Sequence, residues 1–132
     1  MKLVQFGAGN IGRSFIGQLF SRAGYEVVFA DVVPEVIRLL NERGRYRVEI
    51  KDDPPGTIWV ENVRAVDSRD RDRVVGELAT ADIAGTAVGP AALPHLFPVL
   101  AAALRLRQEQ DAGPLDVILC ENLRGAAATV RE

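Results

Sequence analysis

Leu3-Val4-Gln5-Phe6-Gly7-Ala8-Gly9-Asn10-Ile11-Gly12 opens the chain within a few residues of its first methionine. Leu3 to Phe6 form a short, mostly apolar run, the pattern of a buried strand in a parallel sheet. The next six residues fit G-x-G-x-x-G. Beyond them Ile11, Phe15, Leu19 and Phe20 recur at helical spacing from Asn10 to about Arg22, with Gly24 just past the end as a cap. A glycine fingerprint between a strand and a helix is the context in which dinucleotides are bound. Gly7 permits the tight turn, Gly9 lets backbone approach a pyrophosphate, and Gly12 allows helix to pack closely on strand. The free N–H groups of the first helical turn then face the anion.

A glycine-rich turn with no ligand would show the same letters, so the next strand matters. Glu26-Val27-Val28-Phe29-Ala30-Asp31 is a second apolar run, and Asp31 closes it about 20 residues beyond Gly12, the spacing of the acid that binds the adenosine ribose. A carboxylate there accepts hydrogen bonds from both ribose hydroxyls and repels a 2′-phosphate. Val32 and Val33 follow and supply no arginine for such a phosphate. NAD is therefore expected over NADP. Asp31 could also serve only as an acid at a helix N-terminus near Pro34, but that leaves the matching glycine turn unexplained.

Further along, Pro34 starts a helix carrying Val36, Ile37, Leu39 and Leu40 that ends before Gly44. Strand and helix thus alternate, which predicts crossover units and a Rossmann-type, doubly wound, mostly parallel α/β sheet. Tyr46 to Ile50 and Thr57 to Val63 alternate like strands around Asp52-Asp53-Pro54-Pro55-Gly56, predicting an inserted hairpin that Trp59 anchors. Arg64 to Val66 reads as a strand, Arg71 to Leu78 as a helix and Ile83 to Val88 as a strand. Leu93, Phe97, Leu100 and Leu104 mark a helix to about Gln108, Leu115 to Cys120 a last buried strand, and Ala126 to Ala128 lie in a helix-prone tail. Residues 1–132 read as one domain, a normal size for a single core.

Two more strand ends offer cofactor contacts, because ligands of open α/β sheets bind at the carboxyl ends of strands. Thr86-Ala87-Val88-Gly89 supplies small residues and free backbone, and Glu121-Asn122 supplies polar side chains where a nicotinamide would lie; strand ends with ordinary turn chemistry would look alike. Arg13 either reaches a phosphate or sits on the surface. His95 beside Pro94 is expected to be exposed or locally bonded, Cys120 to be inert core, and Asp67 to Arg73 to be a solvated helix entry.

Composition narrows the classes. A net charge of −2, with arginines scattered, gives no electrostatic ground for nucleic acid or an acidic membrane as partner. One cysteine and one histidine offer no metal-site spacing. The lone cysteine and the absence of a leader or transmembrane run point to the cytoplasm.

Phe6 to Arg13, with Phe15-Ile16-Gly17 behind, closely resembles the turn of the polyol-specific long-chain dehydrogenases, in the branch of the mannitol-1-phosphate 5-dehydrogenases. Phe29 to Val32, Thr86 to Pro90 and Cys120 to Gly125 resemble further stretches of that family, so the likeness spans nearly the whole chain. Relatives acting on free mannitol or sugar acids usually carry aromatic and histidine residues after the second glycine, unlike Asn10-Ile11-Gly12-Arg13. The resemblance implies NAD-dependent, metal-independent interconversion of mannitol 1-phosphate and fructose 6-phosphate. It also implies catalysis by a lysine, with asparagine and histidine beside it, from a large helical C-terminal domain. Lys2 and Lys51 are the only lysines here and neither fits that motif, so the chain is expected to be an NAD-binding fragment, inactive by itself. Asn122 is its one candidate for contact with the substrate or nicotinamide. A free-standing NAD-sensing regulatory module, and a dehydrogenase of another polyol or sugar acid, stay open as alternatives. Oligomeric state is not read from the sequence.

Overall fold

The computed structural model describes residues 1–9, 12–50 and 56–120. Asn10, Ile11, most of the hairpin turn, Glu121, Asn122 and the tail through Ala128 lie outside them. Strands β1 (Lys2–Phe6), β2 (Glu26–Asp31), β5 (Val63–Asp67), β6 (Ile83–Thr86) and β7 (Asp116–Leu119) form one sheet in the order β5-β2-β1-β6-β7, with every neighbouring pair parallel. Helix α1 (Gln18–Arg22) continues a π-helical turn, Gly12–Gly17. Helix α2 (Pro34–Arg43) follows β2, α3 (Arg71–Ala79) follows β5, and α4 (Phe97–Glu109) follows a 3₁₀ turn at Leu93–Leu96. This is the doubly wound Rossmann arrangement. The chain leaves β1 toward β2 on one side and later returns to β6 on the other, so the order reverses at the carboxyl end of β1.

Strand alternation explains the two cores. Val4, Phe6, Val28, Ala30 and Val66 pack with Val74, Leu78, Leu100 and Ala103 of α3 and α4. Leu3, Val27, Phe29 and Ala65 pack with Ile16, Leu40 and Val60 on the opposite face. The helix ends follow local chemistry. Pro34 occupies the first turn of α2, and Gly44 ends it with φ 63°, a left-handed conformation that glycine adopts without steric cost. Asp70 caps α3 by accepting a hydrogen bond from the Arg73 N–H.

β3 (Arg45–Ile50) and β4 (Gly56–Glu61) pair antiparallel as a separate two-stranded sheet, the expected hairpin. Its details differ from the sequence reading. Asn62, at φ 61°, breaks the second strand, so Val63 begins β5. Trp59 pairs across from Arg47 on the outer face, half exposed and covered by the Arg45 guanidinium 4.4 Å from its ring centre. Tyr46, Val48 and Val60 anchor the hairpin, because they alternate onto the inner face. In the first helix the inward residues are Gly12, Ile16 and Gly17, while Phe15 and Leu19 are exposed. Close packing of the glycines against strand and hairpin turns that face inward. β6 stops at Thr86, two residues early, and β7 is a half-exposed edge strand, with no strand beyond it among the described residues. No helix among the described residues is long and apolar enough to cross a membrane.

Candidate dinucleotide site

At the carboxyl end of β1 the chain turns at Gly7, with φ 94°. The turn is tied to β2 by its own main chain, the Gly7 N–H donating to the Ala30 carbonyl at 3.0 Å. Asp31 makes the second tie. Its Oδ2 accepts from the Ala8 N–H at 2.7 Å, while Oδ1 accepts from the N–H groups of Val32 at 2.7 Å and Val33 at 3.0 Å. One carboxylate thus orders the glycine turn and the entry to α2 together. A carboxylate offers about four acceptor sites. Three are used by described residues, two on Oδ1 and one on Oδ2.

The three glycines are required for different reasons. A Cβ on Gly7 would collide with the Ala87 carbonyl, and one on Gly12 would collide with the Gly7 carbonyl oxygen. These two positions are fixed by packing. A Cβ on Gly9 would meet no atom within 4 Å. No described residue demands glycine there, and the space before it opens onto the cleft.

Gly7 and Gly9 floor a cleft of about 510 Å³. Asp31, Val32, Ser68 and Arg69 form one wall. Ala87, Val88, His95, Leu96 and Val99 form the other. The structure therefore brings Phe6, Gly7, Gly9, Asp31, Val32, Ala87 and Val88 together around one cleft, whose lining does not include Gly89. Thr86 lies beneath the cleft, wholly buried, its hydroxyl without a hydrogen-bond partner among the described residues. Gln5 Oε1 is orphaned likewise, although its Nε2 donates to the Phe6 carbonyl at 3.1 Å. Buried polar atoms are normally satisfied, so two orphans at this end of the sheet mark it as unusual.

Other residues fall elsewhere or arrive unannounced. Arg13 lines a second, larger cleft of about 760 Å³ between α2 and the hairpin, with Arg43, Arg45 and Tyr46; that cleft holds neither the glycine turn nor Asp31. Size therefore does not locate the chemistry. The Tyr46 hydroxyl donates to the Arg13 carbonyl at 2.5 Å, and burial pushes this phenol well above its ordinary pKa against the opposing charge of Arg13. His95 is exposed, as expected, but on the cleft wall. Ser68 and Arg69 were read as a solvated helix entry. They are a solvated helix entry in the structure, with Arg69 exposed and Asp70 capping α3, and parallel pairing of Asp31 with Asp67, with the Ser68 N–H donating to the Asp31 carbonyl at 2.9 Å, also brings them to the cleft. Cys120 is half-buried against the second core, its N–H on the Thr86 carbonyl at 2.9 Å.

No cluster of three metal-ligating side chains exists among the described residues. The cleft lies at the sheet's switch point, where open α/β sheets bind their ligands. The family model of the mannitol dehydrogenase Rossmann domain matches residues 1–132. The chain belongs to that family. This mannitol dehydrogenase Rossmann domain is 48% identical over its whole length to a mannitol-1-phosphate 5-dehydrogenase of Geobacillus thermodenitrificans, of which it covers 34%. It is 46% identical to the enzyme of that name from Brevibacillus brevis, again across all of the chain and 34% of the relative. The domain thus spans about a third of the length of these relatives. Among solved structures, the apo saccharopine dehydrogenase of Saccharomyces cerevisiae superposes with a TM-score of 0.50 at 16% identity, over 98% of this chain and 23% of that one; this likeness concerns fold alone. A nucleotide cofactor follows from the family.

Proposed function

We propose that this domain binds NAD(H) for a mannitol-1-phosphate 5-dehydrogenase that acts in the cytoplasm. The observation that carries the reading is the open cradle at Gly9 beside the Asp31 carboxylate, in one cleft. Gly7 and Ala8, whose N–H groups are held by the Ala30 carbonyl and Asp31, shape the turn, and Gly9, Asn10, Ile11 and Gly12 are assigned to the pyrophosphate by their place in the glycine fingerprint. Asp31 Oδ2, which accepts one hydrogen bond among the described residues, is the acceptor for a ribose hydroxyl, and its charge disfavours a 2′-phosphate there. Val32 borders the adenosine and Phe6, Ala87 and Val88 line the path onward, while Gly89 just beyond and the buried Thr86 beneath support that strand end. Glu121 and Asn122, outside the described residues, are assigned to the nicotinamide from the sequence alone, Asn122 as a hydrogen-bond donor to the carboxamide or substrate oxygen.

The bound nicotinamide supplies hydride transfer. This domain's part is to hold and orient the dinucleotide; the acid–base group for the alcohol proton belongs to polypeptide outside these residues. The relatives' coverage of about a third and their printed activity support that division. The test compares NAD reduction by the whole protein on mannitol 1-phosphate and on free mannitol. Strong preference for the phosphorylated substrate is expected. Equal turnover of both, or activity only with NADP, would overturn the assignment.

A further inference from the structure

The sequence reading of NAD over NADP rested on a missing arginine after Asp31, yet the fold delivers one. Arg69 stands on the same cleft wall as Asp31 and Val32. It reaches there from the neighbouring strand, whose Asp67 pairs with Asp31 in the parallel register. An arginine beside a ribose-binding acid is the residue type that takes a 2′-phosphate through its fork of donors. Two of its five N–H donors are committed to Asp67, on the edge that makes a two-point contact. Arg69 Nε donates to Asp67 Oδ1 at 3.0 Å and Arg69 Nη2 to Asp67 Oδ2 at 2.8 Å, a two-point pairing. Asp67 Oδ1 also accepts the Arg69 backbone N–H at 2.9 Å, which fixes the loop that carries the guanidinium. The pair is local, two residues apart, so it forms without ordering distant chain.

We infer that Asp67 is a second specificity-determining residue of the cleft, holding Arg69 away from service as a 2′-phosphate ligand. The inference rests on the NAD reading above and explains how that selectivity survives with an arginine on the wall. A 2′-phosphate that drew Arg69 off Asp67 would leave two carboxylates, Asp31 and Asp67, abreast on adjacent strands beside its own charge. Like-charge contact disfavours that arrangement. NAD has no such group and leaves the clamp undisturbed. The Arg69 guanidinium and its N–H hold the Asp67 carboxyl down at about 2, so the clamp stays charged at neutral pH.

The experiment measures NADH and NADPH affinities by fluorescence titration for the unaltered protein, Asp67→Asn, and Asp67→Asn combined with Arg69→Ala. Asparagine keeps an Oδ1 that can accept the Arg69 N–H and Nε–H, and replaces the Oδ2 that accepts from Nη2 with an amide donor, so the charge and the two-point pairing are both lost. The NADPH-to-NADH affinity ratio is expected to rise about tenfold in Asp67→Asn, the scale of one charge-assisted hydrogen bond to phosphate. It is expected to fall back in the double variant, because the gain belongs to Arg69. An unchanged ratio in Asp67→Asn that still binds NADH overturns the inference alone. A gain that persists without Arg69 overturns it too, leaving only removal of a carboxylate's repulsion. Failure of the unaltered protein to bind NADH overturns the cofactor reading on which the inference rests.

Discussion

Substituting alanine at Gly9 and at Gly12 separates ligand approach from folding. The Gly9 Cβ would enter open space, at a residue without positive φ, so the fold accepts it. Replacing glycine at a compatible site trims unfolded-chain entropy, a gain of about 0.4–1 kcal/mol, and thermal stability should hold or rise slightly. The same methyl occupies the cradle. If it prevents one phosphate oxygen from reaching an N–H group, the loss is about 1.5–3 kcal/mol, or roughly 10- to 150-fold in affinity. The Gly12 Cβ instead strikes the Gly7 carbonyl oxygen, a main-chain atom that cannot swing aside. Overpacking of this kind costs about 1–3 kcal/mol or more, so Gly12→Ala should lower the melting temperature by several degrees. Thermal melts and NADH titrations on both variants decide the matter. Wild-type affinity in Gly9→Ala would refute the cradle, and unchanged melting of Gly12→Ala would refute the packing argument.

Arg107 is buried and donates to the carbonyls of Leu78, Ala79, Ala81, Ala112, Gly113 and Pro114, bridging the end of α3 to the loop before β7. Arg107→Met should destabilise by about 3 kcal/mol or more, since several buried acceptors lose their donor at once; a denaturant midpoint close to wild type would contradict this. Tyr46→Phe removes the hydrogen bond to the Arg13 carbonyl while keeping the ring packed on Phe29, so a loss of about 1 kcal/mol is expected by chemical denaturation. Burial alone would raise the Glu77 carboxyl, but hydrogen bonds from Arg64, with Lys2 beside it, hold it below its ordinary value. A depressed carboxylate stabilises the fold above its unfolded pKa and loses that contribution as pH falls through the folded one. Glu77→Gln should therefore narrow the stability difference between neutral pH and pH 3, and an unchanged difference would count against the ion pair.

Local chemistry made most of the fold readable. The Leu3–Phe6 and Val27–Ala30 runs, the glycine turn and the caps at Pro34 and Gly44 each state their element within a few residues, and the parallel sheet follows from their alternation. Asp31 was legible because its spacing from the turn is fixed by one crossover. What escaped depends on partners distant in sequence. Arg69 is the solvated surface residue its sequence suggests, but only strand register, with β5 beside β2, shows that this surface borders the cleft, and His95 reaches the cleft through the turn that positions α4. Trp59 looked like an anchor by residue type, whereas strand alternation sends it outward and Tyr46 inward. Phe15 and Leu19 fit a helical stripe, but the close contacts at Gly12 and Gly17 decide which face is buried. β7 reads as buried from its apolar letters, yet sheet position leaves it at an edge.

The central claim is that the glycine turn and Asp31 form a working NAD site. A calorimetric titration of the protein with NADH and with NADPH, repeated on Asp31→Ala, tests it most directly. The account predicts saturable NADH binding, much poorer NADPH binding, and at least a tenfold loss of NADH affinity when the charge-assisted contact of Asp31 is removed. Absence of NADH binding, or equal NADH affinity with and without the Asp31 carboxylate, would contradict it.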